Sequence, residues 1–288
     1  MKPPVFVFQS VSNHGTSNPI VARLALQSFE MMKWVDLTEK EREAANKQLF
    51  DLHGRLLRCF ECVRTLRQRE SETLEKTRQI AANQNRTIPF VIGLQDEVET
   101  FLTSAKQFLR DLVGPFNTIY RANLKNDAAV FWDKAGGASA AEKWATAHFG
   151  TDNSLALLLR EDAFWIGELI KRRNAREHPG DLSGTLVIEN YRFVGPAVSA
   201  PSWRRDTKLG DGERSPVLPD LERHLIALLE FGEELIAQAV KLRPAHNHLE
   251  VYEIPEDKRD QKNPARFRVS LDAILLKSLA EADATSNS

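Results

Sequence analysis

The feature that most constrains this chain is a helix whose buried stripe turns from apolar to polar in its last turn. Over residues 155–171, Leu158, Trp165, Ile166, Leu169 and Ile170 recur at helical spacing, the mark of an amphipathic helix. The row Trp165, Leu169 continues to Arg173, and the row Ile166, Ile170 continues to Asn174 and His178. Residues four apart share a face, so these polar groups extend the core-facing stripe rather than the solvated side. Pro179 disfavours helical geometry at His178, and Gly180 is a good terminator. An arginine, an amide and an imidazole thus gather at the end of a packed helix, a set suited to holding a phosphate and moving a proton. Part of the cluster has a plainer use. Cations near a helix C-terminus are favoured by roughly 0.3–1 kcal/mol each, which suffices for Lys171, Arg172 and Arg176. Glu168 stands four residues before Arg172, an ion-pair spacing that leaves Arg173 as the inward arginine. Asp162, on the same broad face, is a candidate partner for Arg173 or for another base.

The remaining periodicities also read as helices. Thr38-Glu39-Lys40-Glu41 has the form of a capping box. It opens a helix to about residue 82 with the stripe Leu49, Leu52, Leu56, Phe60, Val63 and Leu66. Beyond Leu66 the sequence is almost wholly polar, so that end is expected to project. The next helix begins near Asp96 and carries Val98, Phe101, Ala105, Phe108 and Leu112, with Gly114-Pro115 expected to break or kink it. A short helix over 139–148 follows a connector whose Trp132 packs with Trp144 and Phe149 as a cap. The last bundle helix opens at Pro219-Asp220 and runs to about 242, with His224 flanking its stripe and expected to be half exposed.

Between these helices the period changes. Residues 186–188 and 191–194 read as short strands, and 195–217 as a loop of more than 20 residues containing Trp203-Arg204-Arg205. An aromatic beside two arginines suits stacking on a base and contact with phosphate; the other use of such a Trp is to anchor a surface loop. Residues 249–254 and 267–271 alternate like half-buried strands. They have three possible partners: each other, the run at 5–8, or 186–188. The expected fold is mainly α, an antiparallel helical bundle with a small accessory β element. Residues 1–33 read as an N-terminal arm, and 34–242 as the bundle with strands and loop inserted at 181–217. Strands and a short helix fill 243–280, and 281–288 form a disordered tail.

Net charge is −1, so any contact with nucleic acid must use a local patch rather than a global field. No stretch approaches the roughly 20 apolar residues that span a bilayer, and the N-terminal residues lack a secretory signal. The expectation is therefore a cytoplasmic protein with no membrane partner. Cys59 and Cys62 form a Cys-x-x-Cys in helical surroundings, with no second pair and no preceding strand, and read as buried free thiols. His246-Asn247-His248 lacks a third ligand, and His14 and His148 read as ordinary structural or solvated side chains. With no phosphate-cradling glycine loop and no nucleophile elbow, neither a metal nor another cofactor is expected.

Arg173-Asn174-x-x-x-His178, followed by Pro179-Gly180 and the strand-like Gly184-Thr185-Leu186-Val187-Ile188, resembles the HEPN family (higher eukaryotes and prokaryotes nucleotide-binding domains). That family's signature is an Arg, four to six residues and a His, often with a polar residue directly after the Arg. The resemblance covers about residues 37–242, and only the short motif in it is specific. It implies a helical bundle with the motif late in a core helix, acting as a metal-independent endoribonuclease. It also implies a homodimer with a composite active site, and a setting in toxin–antitoxin systems or phage defence, with an antitoxin protein as a further partner. Arg173, Asn174 and His178 would be catalytic, and Arg172, Arg176, Trp203, Arg204 and Arg205 would contact the RNA. Two other classes stay open: a non-catalytic RNA- or nucleotide-binding module, and a helical interaction protein in which Arg173 and His178 clamp helices together.

Overall fold

Thr38 starts the longest helix as its sequence predicts. Its backbone N–H donates to the Glu41 carboxylate (2.8 Å), and the Glu41 N–H donates to the Thr38 hydroxyl (3.3 Å), a reciprocal cap. In this computed structural model, which describes residues 13–82, 87–195 and 197–272, the chain is mainly helical. A π-helical turn, Val21–Gln27, leads into α1 (Ser28–Met32). Then come α2 (Glu39–Ala82), α3 (Leu94–Tyr120), α4 (Ala140–Phe149), α5 (Ser154–Glu177) and α6 (Val217–Leu242). The expected strand at 5–8, the expected short helix after residue 272 and the expected disordered tail lie outside the described residues.

The core forms where the predicted stripes meet. α2 and α3 make the most extensive helix pair, and α6 packs on both as well as on α5. Leu49, Leu52 and Leu56 of α2, Phe101, Phe108 and Phe116 of α3, and Leu228 and Phe231 of α6 are all buried. Gly232 sets the approach of α6: a Cβ there would meet Phe108 Cζ at 3.1 Å and Leu24 Cδ1 at 3.3 Å. α3 does not break at Gly114-Pro115. Pro115 forfeits a backbone bond, but Leu112, Val113, Phe116, Ile119 and Tyr120 are buried on both sides of it, and their packing carries the helix through.

Residues 20–32 are not an arm. Ile20, Leu24, Met31 and Met32 are buried in the core, and the buried Arg23 forms an ion pair with Glu233 of α6. Arg266 donates to the same carboxylate at 3.0 Å, and the Gln27 side-chain oxygen accepts from the backbone N–H groups of Arg266 (2.6 Å) and Phe267 (2.7 Å). These bonds dock a C-terminal hairpin whose strands, Leu249–Glu253 and Phe267–Leu271, pair antiparallel with each other, one of the three arrangements the sequence left open.

The segment 195–217 is not a loop. β1 (Thr185–Glu189) pairs antiparallel with β4 (Ser202–Asp206), and β4 pairs with the short β5 (Ser215–Pro216). β2 (Arg192–Val194) and β3 (Ala197–Ser199) form a separate hairpin. The runs are two to five residues long and interrupted by Pro and Gly, too short for alternation to reveal. The C-terminal hairpin strands are β6 and β7.

Glu233 is fully buried, and Arg23 and Arg266 are its cationic partners. Glu233→Ala takes from the buried Arg23 the carboxylate it pairs with, while Arg266 keeps Glu253 at 2.8 Å and Glu234 at 2.9 Å, so it is expected to lower the unfolding free energy in urea by about 3–5 kcal/mol.

Candidate functional site

α5 is built to deliver its last turn to a fixed place. Asn153 caps its start, the side chain accepting from the Leu155 N–H at 2.9 Å. Leu155, Ala156, Leu159, Ile166, Leu169 and Ile170 bury its inner face. The helix closes at His178, whose N–H still donates to the Asn174 carbonyl at 2.8 Å but whose ψ of 70° leaves the helical region. Gly180, at φ +87°, then turns the chain away.

Arg173, Asn174 and His178 do share this turn, and two further groups join them. Glu177 pairs with the Arg173 guanidinium, and its Oε2 lies 3.2 Å from His178 Nε2. One carboxylate therefore bridges the arginine and the imidazole. Lys106, from α3, donates to Asn174 Oδ1 at 3.1 Å. Burial, and after it the adjacent Arg173 charge, lowers the Lys106 pKa below its usual value; burial likewise lowers that of Arg173. Two cations thus share a partly dehydrated spot beside an amide. The His178 side chain is 58% exposed, so it sits at the open rim and not in a clamp between helices. Arg176 pairs with Glu99 of α3 at 3.0 Å. Glu177 was legible as the residue four after Arg173; nothing in the sequence linked Lys106 to α5.

The other predicted contacts lead elsewhere. Arg172 is the arginine built into the fold: its guanidinium lies over the Trp203 ring, 4.7 Å from the centroid, and its Nη1 is 3.3 Å from His224 Nε2. Asp220 accepts from Trp203 Nε1 at 2.7 Å and lies 4.0 Å from Arg172. Trp203 is fully buried, so it offers no face to a base, and His224 is buried rather than half exposed. The reason is the β1–β4 pairing, which turns Trp203 onto the bundle. Glu168, expected to hold Arg172, instead binds Lys171 at 2.9 Å and Arg205 at 3.5 Å. Arg205 also donates to the Ser183 carbonyl, and Arg204 is held by Asp206; both brace the strand insert. Asp162 accepts from Trp165 Nε1 at 2.6 Å and is not the partner of Arg173.

The buried set has distinctive electrostatics. Burial, reinforced by the Arg172 charge, lowers the His224 pKa to about 4. Burial works to raise the Asp220 carboxyl, but the Trp203 bond and the Arg223 and Arg172 charges outweigh it and hold the group below the usual range.

Other chemistry-bearing side chains have structural places. Cys59 and Cys62 are free and buried, and burial raises the Cys62 thiol to about 12, so neither is a ready thiolate. The His148 ring stacks on Trp144 with centroids 4.4 Å apart, and His248 Nδ1 lies 2.9 Å from the Asp272 carboxylate. Among the described residues no group of three His, Cys, Asp or Glu side chains is placed to hold a metal ion, and no helix is long and apolar enough to cross a membrane. No family model, curated protein or solved structure matches the chain.

His224 makes stability depend on pH. The unfolded histidine takes up a proton near 6.5, whereas the buried ring resists until about 4. Stability is therefore full above pH 6.5 and falls as pH drops toward 4, on the order of 1 kcal/mol per unit. Urea titrations across that window are expected to show this slope, and His224→Gln to flatten it.

Proposed function

We propose that the last turn of α5 is the catalytic centre of an endoribonuclease that cleaves RNA by attack of the RNA's own 2′-hydroxyl, as the HEPN-like Arg-Asn-x-x-x-His pattern implies. The observation that carries this reading is the convergence of Lys106 and Arg173 beside Asn174, with His178 exposed at the rim. Two cations, partly withdrawn from water, suit a scissile phosphate better than a solvated surface pair would.

The chemistry then follows from the positions. Arg173 and Lys106 hold the non-bridging oxygens and offset the charge of the pentacoordinate transition state. The His178 imidazole, its Nε2 3.2 Å from the Glu177 carboxylate, takes the 2′-hydroxyl proton. The 2′-oxygen attacks phosphorus, the bond to the 5′-oxygen breaks, and that oxygen takes a proton from a second acid. In the dimer that the resemblance implies, the second acid is His178 of the other copy. The products are a 2′,3′-cyclic phosphate and a 5′-hydroxyl. Incoming phosphate competes with Glu177 for Arg173, so part of the binding energy goes into opening that ion pair. A role as a toxin or defence effector with its antitoxin rests on the resemblance alone.

The Arg173–Glu177 pair also favours a second reading. It satisfies the guanidinium within the free chain, as suits a module that binds RNA or a nucleotide without turning it over.

Mixed RNA incubated with the folded protein in EDTA distinguishes them. Wild type is expected to leave cyclic-phosphate ends, and His178→Ala and Arg173→Ala to slow cleavage by about 10²–10⁴-fold. Cleavage that survives His178→Ala overturns the mechanism. Binding without cleavage, lost in Arg173→Ala but kept in His178→Ala, establishes the binding module.

A further inference from the structure

β7 has β6 as its strand neighbour in a two-stranded sheet, and no described strand covers its outer edge. The pairing fixes which backbone groups face outward. The Ile254 N–H donates to the Arg266 carbonyl at 2.7 Å, and at the other end the Asp272 N–H donates to the His248 carbonyl at 2.8 Å. Bonded residues alternate along an antiparallel ladder, so Arg266, Arg268, Ser270 and Asp272 turn their backbone groups to β6. Phe267, Val269 and Leu271 turn theirs to the outer edge.

Gln27 covers the start of that edge as a neighbouring strand would. Its buried side chain accepts from the outward Phe267 N–H at 2.7 Å and from the Arg266 N–H at 2.6 Å. The cover stops there: the outward N–H groups of Val269 and Leu271 have no acceptor among the described residues. Beside this open stretch lies a cleft of about 340 Å³, lined by Leu26, Met31 and Trp34 from around α1 and by Phe267 and Val269 from β7. Leu26 is 38% exposed, a leucine left partly in water. The cleft carries an unanswered positive charge. Both Glu30 carboxylate oxygens are held by Lys33 at 2.8 Å, whereas Arg268, also at the cleft, has no ion pair among the described residues.

An open strand edge is a template for another extended chain. In strand addition, main-chain bonds supply affinity and pockets for alternate side chains supply selectivity. A small molecule would fill the cleft and leave the edge unpaired; an extended peptide uses both. We propose that β7 and the cleft beside it form a docking site for an extended peptide of another protein. The peptide adds a third strand to the β6–β7 sheet, sets an apolar side chain against Leu26 and brings a carboxylate to Arg268. The site is separate from α5 and does not depend on the reading of its last turn.

The test uses the full chain and a fluorescein-labelled peptide, Glu-Phe-Thr-Val-Thr-Glu, whose Phe and Val share one face when extended. Fluorescence anisotropy is expected to show binding. Two further peptides carry backbone N-methyl groups, one at Phe and Val and the other at both Thr. Strand addition uses the N–H groups of alternate residues, so one of the two is expected to bind roughly 10-fold more weakly and the other to match the parent. Leu26→Glu and Arg268→Glu are each expected to weaken the parent peptide roughly 10-fold, with an unchanged urea midpoint because neither side chain is buried. The N-methyl comparison uses wild type alone, so it decides whether or not a variant folds. No binding at about 1 mM peptide, equal affinity for the two N-methylated peptides, or binding indifferent to Leu26→Glu overturns the site. A chain that sediments as a dimer and becomes monomeric in Leu26→Glu gives the edge to a second copy and overturns the peptide.

Discussion

The contact of Arg172 with Trp203 is the constraint on which the geometry of the α5 turn depends. It joins three elements: the guanidinium comes from α5, the indole from β4, and the Asp220 carboxylate that binds the indole from the first turn of α6. A buried arginine must have its charge answered, and here an aromatic face, a carboxylate and a neutral imidazole divide that task. The rotation of α5 follows. Successive helical residues are about 100° apart, so with Arg172 directed at Trp203, Arg173 is directed toward α3 and Lys106.

The two neighbouring arginines therefore have opposite duties. Arg172 is sequestered with His224, whose ring is kept neutral by burial and by the arginine itself. Arg173 faces a second cation and is balanced by Glu177, a carboxylate on a flexible side chain at the helix end. An incoming anion can displace a partner of that kind, whereas nothing from solvent reaches the partners of Arg172. In this chain a buried charge network holds the framework, and an adjacent, more open one stands at the end of α5. The same division recurs at the other end of α6, where Glu233 gathers Arg23 and Arg266 and ties the N-terminal helix to the β6–β7 hairpin.

Much of the framework was legible because it is local. The Thr38–Glu41 cap, the stripe from Leu49 to Leu66, the end of α5 at Pro179 and the stripe of α6 each depend on residues within a few turns of one another. The gathering of Arg173, Asn174 and His178 was legible for the same reason, as one turn of one helix. The failures lie where a distant partner decides. Pro115 reads as a break or a kink; burial on both sides carries α3 past it without a break. Trp203-Arg204-Arg205 reads as a solvated reader of bases, but pairing with β1 buries the indole and gives both arginines to the insert.

By itself, then, the sequence determined a mainly helical chain, the positions of its long helices and the gathering of Arg173, Asn174 and His178 at one helix end. Periodicity, caps and breakers act over a few residues and need no knowledge of what packs against them. Only the tertiary structure decided which arginine is buried, that Lys106 meets Asn174 across 68 residues, and that Glu233 holds two arginines brought from opposite ends of the described chain. The cost of burying a charge is set by whichever groups the fold brings to it, and spacing along the chain does not record that.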